Sequence, residues 1–177
     1  MGTQVLKLRF TNHECRNREA ELRNVRSQAE LGNEDHDPMY SWKIHELIEA
    51  DYHPVMALWN STPGVRATEL PEEFSRILAR NPGLSCVARD GDRLVAAILC
   101  CHDGRRGYLY HLAVAESHRR QGIARAIVNR CLALLTKLGI ARCTLFVVAE
   151  NEDGAAYWKH TGWRERVDLK TMAKDLL

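Results

Sequence analysis

The chain has 177 residues and a mass of 20.2 kDa, with 45% hydrophobic and 27% charged residues. That is the size and balance of one folded domain with its own core, and it excludes disorder along the whole length. Its formal net charge is only +2, from 25 Lys+Arg against 23 Asp+Glu, so bulk charge gives no reason to expect a nucleic-acid partner.

The longest apolar run, Leu94 to Cys101, falls far short of the ~20 residues a membrane helix needs. The opening MGTQVLKLRF lacks the apolar stretch and cleavage site of a secretory leader. Leu6 stands where a myristoylation pattern needs Ser or Thr. Cys15, Cys86, Cys100, Cys101, Cys131 and Cys143 form neither a C-x-x-C pair nor a zinc spacing. Five of them lie inside apolar segments and read as small hydrophobes, and the set is expected of a reduced, cytoplasmic protein with no metal site and no membrane partner.

Residues 1–40 read as a polar extension, disordered or loosely docked, with a short alternating strand at Leu6, Leu8 and Phe10 and a thin helical stripe at Leu22, Val25 and Ala29. The folded domain is expected over 41–177. A strand is predicted at Lys43–Leu47, then Asp51 as the N-cap of a helix carrying Val55, Leu58 and Trp59. Pro63-Gly64 breaks the chain. Thr68 or Glu69 ahead of Pro71 opens a second helix with Phe74, Ile77 and Leu78 on its apolar face, and Asn81-Pro82-Gly83 stops it.

Strands follow at Leu84–Arg89 and Arg93–Cys101 around an Asp90-Gly91-Asp92 turn, and at Gly107–Val114 after Asp103-Gly104. The strongest helix runs from about Gln121 to Leu138, its face set by Ile127, Cys131, Leu134 and Leu138. Gly139 and Ile140 are placed to close its end. A strand at Cys143–Val148, a helix at Asp153–His160 and a final strand at Arg164–Leu169 complete a mixed α/β order.

The chemistry-bearing stretch is Leu112 to Ala124, where a strand passes through a basic loop into the long helix. A helix N-terminus offers free N–H groups and a positive dipole end to an anion. Gly122 allows close backbone approach, Ala124 keeps the next position small, and His118, Arg119, Arg120 and Arg125 add positive charge. Basic residues at this end oppose the helix dipole by ~0.3–1 kcal/mol each, a misplacement that a bound polyanion repairs. These features describe a pyrophosphate cradle.

Arg119-x-x-Gly122-x-Ala124 resembles the R/Q-x-x-G-x-G/A acetyl-CoA signature of the GNAT superfamily of N-acyltransferases, and Leu112-Ala113-Val114 resembles the strand that precedes it. Asn151 followed by Gly162-Trp163 is similar to that family's N…Y-x-x-x-G-F block, and the Asp103–Gly107 turn is similar to that of small bacterial single-domain members. The resemblance implies a mostly antiparallel sheet in which the two parallel central strands splay, flanked by helices.

It further implies acetyl-CoA as cosubstrate, its pantetheine arm along Leu112, Ala113 and Val114. The diphosphate would lie on Arg119, Arg120, Gln121, Gly122, Ile123 and Ala124, with Asn151 and Trp158 beside the cofactor. The activity implied is acetyl transfer to a primary amine, small molecule or peptide, by direct attack in a ternary complex. A silent acyl-CoA-binding module is the alternative, and a nucleic-acid binder ranks last.

Trp158 occupies the position where the family usually has an acid Tyr, and Tyr157 comes one residue earlier, rotated by about 100°. The candidates for proton transfer are Tyr157, His111 and Glu150, with His102 and Asp103 also available. By strand alternation Tyr110 and His111 should point to opposite faces. Glu72, Glu73 and Trp59 fall in the region that often walls the acceptor in this family. The acceptor itself and the oligomeric state, a homodimer among the options, stay open.

Overall fold

The structure, a computed structural model, describes residues 41–176. The extension read over 1–40, with its strand and its helical stripe, lies outside the described residues.

Five strands form one sheet in sequence order: β1 Trp42–Glu46, β2 Cys86–Asp90, β3 Arg93–His102, β4 Gly107–Val114 and β5 Cys143–Leu145. All neighbours are antiparallel except β4 and β5. The β3–β4 turn is fixed by Asp103, whose Oδ1 accepts the N–H groups of Arg105 and Arg106 at 2.7 and 2.6 Å.

Alternation along the strands feeds two apolar layers. On one face, helices α1 (Tyr52–Ser61) and α2 (Pro71–Arg80) press Val55, Trp59 and Phe74, all fully buried, onto Val87, Ala97, Leu99 and Ala113. On the other, α3 (Ile123–Lys137) lays Ile123, Ile127, Cys131 and Leu135 on Cys86, Ala88, Ile98, Cys100 and Leu109. Each such aliphatic side chain contributes roughly 1.5–3 kcal/mol by leaving water. Gly139 closes α3 in the left-handed region at φ 76, and the Ile140 N–H returns to the Leu135 carbonyl at 3.0 Å. A last helix, α4, spans Glu152–His160.

Three sequence expectations are corrected. Residues 164–169 form no strand: Val167 and Leu169 are exposed, and Arg166 pairs with Asp168 at 2.7 Å while the Leu169 N–H bonds to the Arg166 carbonyl. This local turn chemistry wins because two apolar residues among charged ones bury too little to hold a strand. The strand expected over Cys143–Val148 ends at Leu145. Asp51 does not cap α1 with its side chain; a 3-10 turn (Glu49–Asp51) leads into the helix, and the carboxylate instead accepts the Ile48 N–H and pairs with Arg89.

The parallel pairing of β4 with β5 covers only Gly107, Tyr108 and Leu109 against Cys143, Thr144 and Leu145. Beyond Leu109, β4 continues to Val114 with β3 on one edge and, among the described residues, no strand on the other. The two strands part there, as expected, and leave the outer edge of the second half of β4 unpaired by any described strand.

Candidate active site

Residue His111 stands at the centre of that parting. Its φ is 55, and the β3–β4 register jumps from Leu99↔Tyr110 to Ala97↔Ala113, so His111 and Leu112 together oppose Ile98. This is a β-bulge, and it breaks the two-residue alternation. Tyr110 and His111 therefore do not point to opposite faces: Tyr110 packs with the α1/α2 layer, and the His111 ring lies 5.0 Å, centroid to centroid, from buried Trp59 of the same layer. Leu112 and Val114 turn to the α3 side.

Glu69, in the loop ahead of α2, meets His111 there, with Oε1 2.7 Å from Nε2; the two side chains are 19% and 14% exposed. The Tyr52 hydroxyl donates to the Glu69 carbonyl at 3.0 Å, and Glu69 Oε2 accepts the Thr68 N–H at 3.0 Å, so loop and carboxylate are both held. Burial raises the Glu69 pKa, but the hydrogen bonds from His111 and from the backbone outweigh it and leave the carboxyl below its ordinary value. An ionised carboxylate only accepts, so His111 Nε2 carries a proton in this pair and Nδ1 is the ring atom left to face a ligand. No partner occupies Nδ1 among the described residues. Beside it, the indole N–H of Trp59 is buried without an acceptor.

The cradle is built from backbone. Arg120 (φ 61) and Gly122 (φ 78) both take left-handed conformations on either side of Gln121, and Gly122 is the N-cap of α3. The first bond into the helix runs from the Ala126 N–H to the Gly122 carbonyl at 3.0 Å, and no side chain caps this end. The N–H groups of Ile123, Ala124 and Arg125 are thus left as donors, at the positive end of the dipole. A Cβ placed on Gly122 would meet nothing within 4 Å, so the approach to these donors is open. Arg119 ties the loop down by donating from Nε to the Val114 carbonyl at 3.3 Å.

His118 is engaged elsewhere: its ring is held between Ser117 Oγ at 2.8 Å and Asp90 Oδ2 on β2 at 3.2 Å. Hydrogen bonds from Ser41 and His118 hold the Asp90 carboxyl below its usual range. Unfilled N–H donors, two exposed arginines (Arg120 and Arg125) and the free edge at Leu112–Val114 together fit a diphosphate attached to an extended amide-bearing arm.

The remaining expected residues are placed less evenly. Asn151 caps α4, its Oδ1 accepting the Gly154 N–H at 2.9 Å, and its amide lies so close to Gly64 that a Cβ there would meet Nδ2 at 2.1 Å. Trp158 packs edge-on against Trp163 (5.2 Å) and Tyr157 (5.1 Å), against the α3-side core. Tyr157 is raised by burial, partly offset by the Arg125 charge, so its phenol sits within the field of the first turn of α3 and stays protonated at neutral pH.

Glu150 is not brought to His111; its side chain is 80% exposed and its partner is Arg66, at 3.7 Å. His102 Nδ1 accepts the Gly104 N–H at 3.0 Å, and Asp103 is likewise spent on the turn. Glu73 serves α2, accepting the Leu70 N–H at 2.9 Å.

A cavity of about 450 Å³ adjoins the His111–Glu69 pair, lined by Glu69, Leu99, Cys101, Tyr110 and, toward the far end of α2, Arg76 and Arg80. Burial, with repulsion from Cys100 and Glu69, pushes the Cys101 thiol up to about 12. Sequence reasoning missed Glu69 as a site residue: it looked like a helix start, and no spacing links it to a histidine 42 residues later.

With this geometry in hand, the likeness to known proteins is specific. Residues 34–163 match the model of the Acetyltransferase (GNAT) family. An acetyltransferase of Pectobacterium atrosepticum is 30% identical over 136 residues, spanning 76% of this chain and 96% of that relative. One from Sodalis glossinidius is 32% identical over the same shares. Among solved structures, Naa50 of Arabidopsis thaliana, in complex with the bisubstrate analogue CoA-Ac-MVNAL, superposes with a TM-score of 0.57 at 23% identity, covering 70% of this chain and 83% of that one. The chain belongs to the GNAT acetyltransferase family. It is an acetyl-CoA-dependent acetyltransferase, and among its described residues no helix is long and apolar enough to cross a membrane.

Proposed function

We propose that the protein transfers an acetyl group from acetyl-CoA to a primary amine by direct attack, with His111 as the base and Glu69 as the residue that orients it. The observation that carries this reading is the His111–Glu69 pair at the β4 bulge, where β4 has parted from β5 and Nδ1 has no partner among the described residues. Acetyl-CoA, when bound, supplies the acyl thioester. The free donors at Ile123–Arg125 and the edge of β4 hold its two ends, and fixing amine and thioester together supplies a large share of the rate. His111 Nδ1 accepts the proton of the attacking amine, and the Glu69 carboxylate stabilises the imidazolium that results. Main-chain N–H groups on the unpaired edge of β4 face the region where negative charge develops on oxygen.

Two features support direct attack and a modest need for an acid. Cys101, the thiol in the adjoining cavity, is protonated at neutral pH and therefore a poor nucleophile for an acyl-enzyme. Tyr157 retains a proton it can give, though a thiolate with an ordinary pKa near 8.5 leaves without much help. The acceptor is a small-molecule or peptide amine. The free thiols Cys86, Cys100, Cys101, Cys131 and Cys143 are in keeping with a reducing, cytoplasmic setting.

The test is thiol release from acetyl-CoA across a panel of amines, with acetyl-CoA affinity measured in parallel by calorimetry. Turnover that is lost in His111→Ala while cofactor affinity holds supports the reading. Cofactor binding with no turnover on any amine would assign the chain to the silent acyl-CoA-binding alternative.

A further inference from the structure

The cavity beside the His111–Glu69 pair is electrically lopsided. Glu69 sits at its inner end, an anion anchored by Thr68 and His111. At the other end Arg76 and Arg80, one helical turn apart on α2, both line the wall. Neither guanidinium has an acidic partner among the described residues, in contrast to Arg89 with Asp51, Arg66 with Glu150 and Arg166 with Asp168. Asp103, the carboxylate that lines the cavity besides Glu69, is already engaged by the N–H groups of Arg105 and Arg106 and by the Tyr108 hydroxyl at 3.2 Å. Asn81 is equally committed, donating to the Ile77 carbonyl and accepting the His102 N–H. Between the two ends lie Leu99, Ile77, Cys101 and the stacked rings of Tyr108 and Tyr110.

At 1.5 Å per residue, α2 carries Arg76 about 8 Å and Arg80 about 14 Å along its axis from Pro71. An extended chain advances about 3.5 Å per residue, so a two- or three-residue peptide spans this interval. A cavity of this volume suits a ligand of that size.

The geometry points to an acceptor that is a zwitterion: a primary amine at the Glu69–His111 end and a carboxylate about a tripeptide's length away, held by Arg76 and Arg80. This inference rests on the reading of His111 as the reacting end, and names the acceptor class for it. Paired guanidinium groups without a counter-ion are well shaped to take a carboxylate, and the apolar floor accommodates an uncharged body.

The probe is the tripeptide alanyl-alanyl-phenylalanine against its C-terminal amide, which differs only in the charge at one end. Affinity is measured by calorimetry with and without acetyl-CoA, and turnover by thiol release. The free acid should bind at least tenfold tighter than the amide. The double variant Arg76→Gln, Arg80→Gln should shrink that ratio to below twofold through KM, with kcat and acetyl-CoA affinity kept. Arg66→Gln, which lies outside the cavity, should preserve it.

Equal affinity for acid and amide, a preference for the amide, a preference that survives the double variant, or binding of neither peptide would each overturn the inference. Failure of acetyl-CoA itself to bind would sink the acetyl-transfer reading instead, and the peptide titration without cofactor still reports on the cavity.

Discussion

The corner where β4 runs into α3 and the pocket beneath α1 and α2 are built by different means. The corner is made of main chain: two left-handed residues, unfilled N–H groups and a glycine with open space before it. The mouth of the pocket is set by side chains from remote segments, Glu69 before α2 against His111 on β4 and Trp59 on α1, which meet only when the sheet is assembled. A main-chain site is written in a few adjacent residues and tolerates change elsewhere. A side-chain site depends on the whole packing around it.

The contrast can be broken most forcefully at Gly122. Gly122→Glu places a carboxylate over the N–H donors and asks a non-glycine residue to hold φ 78, and it should cost at least about 100-fold in acetyl-CoA affinity by calorimetry. Gly122→Ala, which carries the backbone strain without the charge, should lose clearly less.

On the pocket side, His111→Ala should lower kcat by ~10²–10⁴ at unchanged acetyl-CoA affinity, the usual worth of a positioned base. Ile127→Ala, in the α3 layer on the opposite face of the sheet from the His111–Glu69 pair, should cost about 2–5 kcal/mol of stability in a denaturant titration while leaving that pair's geometry in place.

Glu69→Gln should reduce kcat by less than His111→Ala, because the imidazole remains but its orientation loosens. Its stability effect has a defined pH course. The folded pKa of Glu69 is depressed, so its contribution is present above the unfolded value and fades as pH falls through the folded one. The stability gap between wild type and Glu69→Gln should therefore close on acidification, which thermal melts across pH would show. The smallest effect is expected for Cys101→Ser, whose activity should stay within about threefold, since the thiol carries no charge at neutral pH.

The same contrast explains what the sequence made legible. The uncapped, left-handed start of α3 at Arg119-x-x-Gly122-x-Ala124 was readable because it lies in contiguous residues at fixed spacing, and α3 because its apolar stripe repeats. The Glu69–His111 pair was not readable, since 42 positions separate partners whose meeting depends on strand register. The bulge itself hid the arrangement: period-two logic assigned Tyr110 and His111 to opposite faces, and a single left-handed residue overrides it. The strand expected at 164–169 failed for another reason: Val167 and Leu169 among charged neighbours bury too little, and the local pairing of Arg166 with Asp168 wins.

One inserted residue in β4 thus sets the reading frame of the catalytic wall. Excising Leu112 would restore an unbroken ladder against β3, leave both hydrophobic layers recognisable, and swing the imidazole out of phase with its carboxylate partner. Descendants of such a chain would drift in the acceptor they take through changes on α1 and α2. On the proposed mechanism, loss of that one position would part the base from its carboxylate without dismantling the sheet.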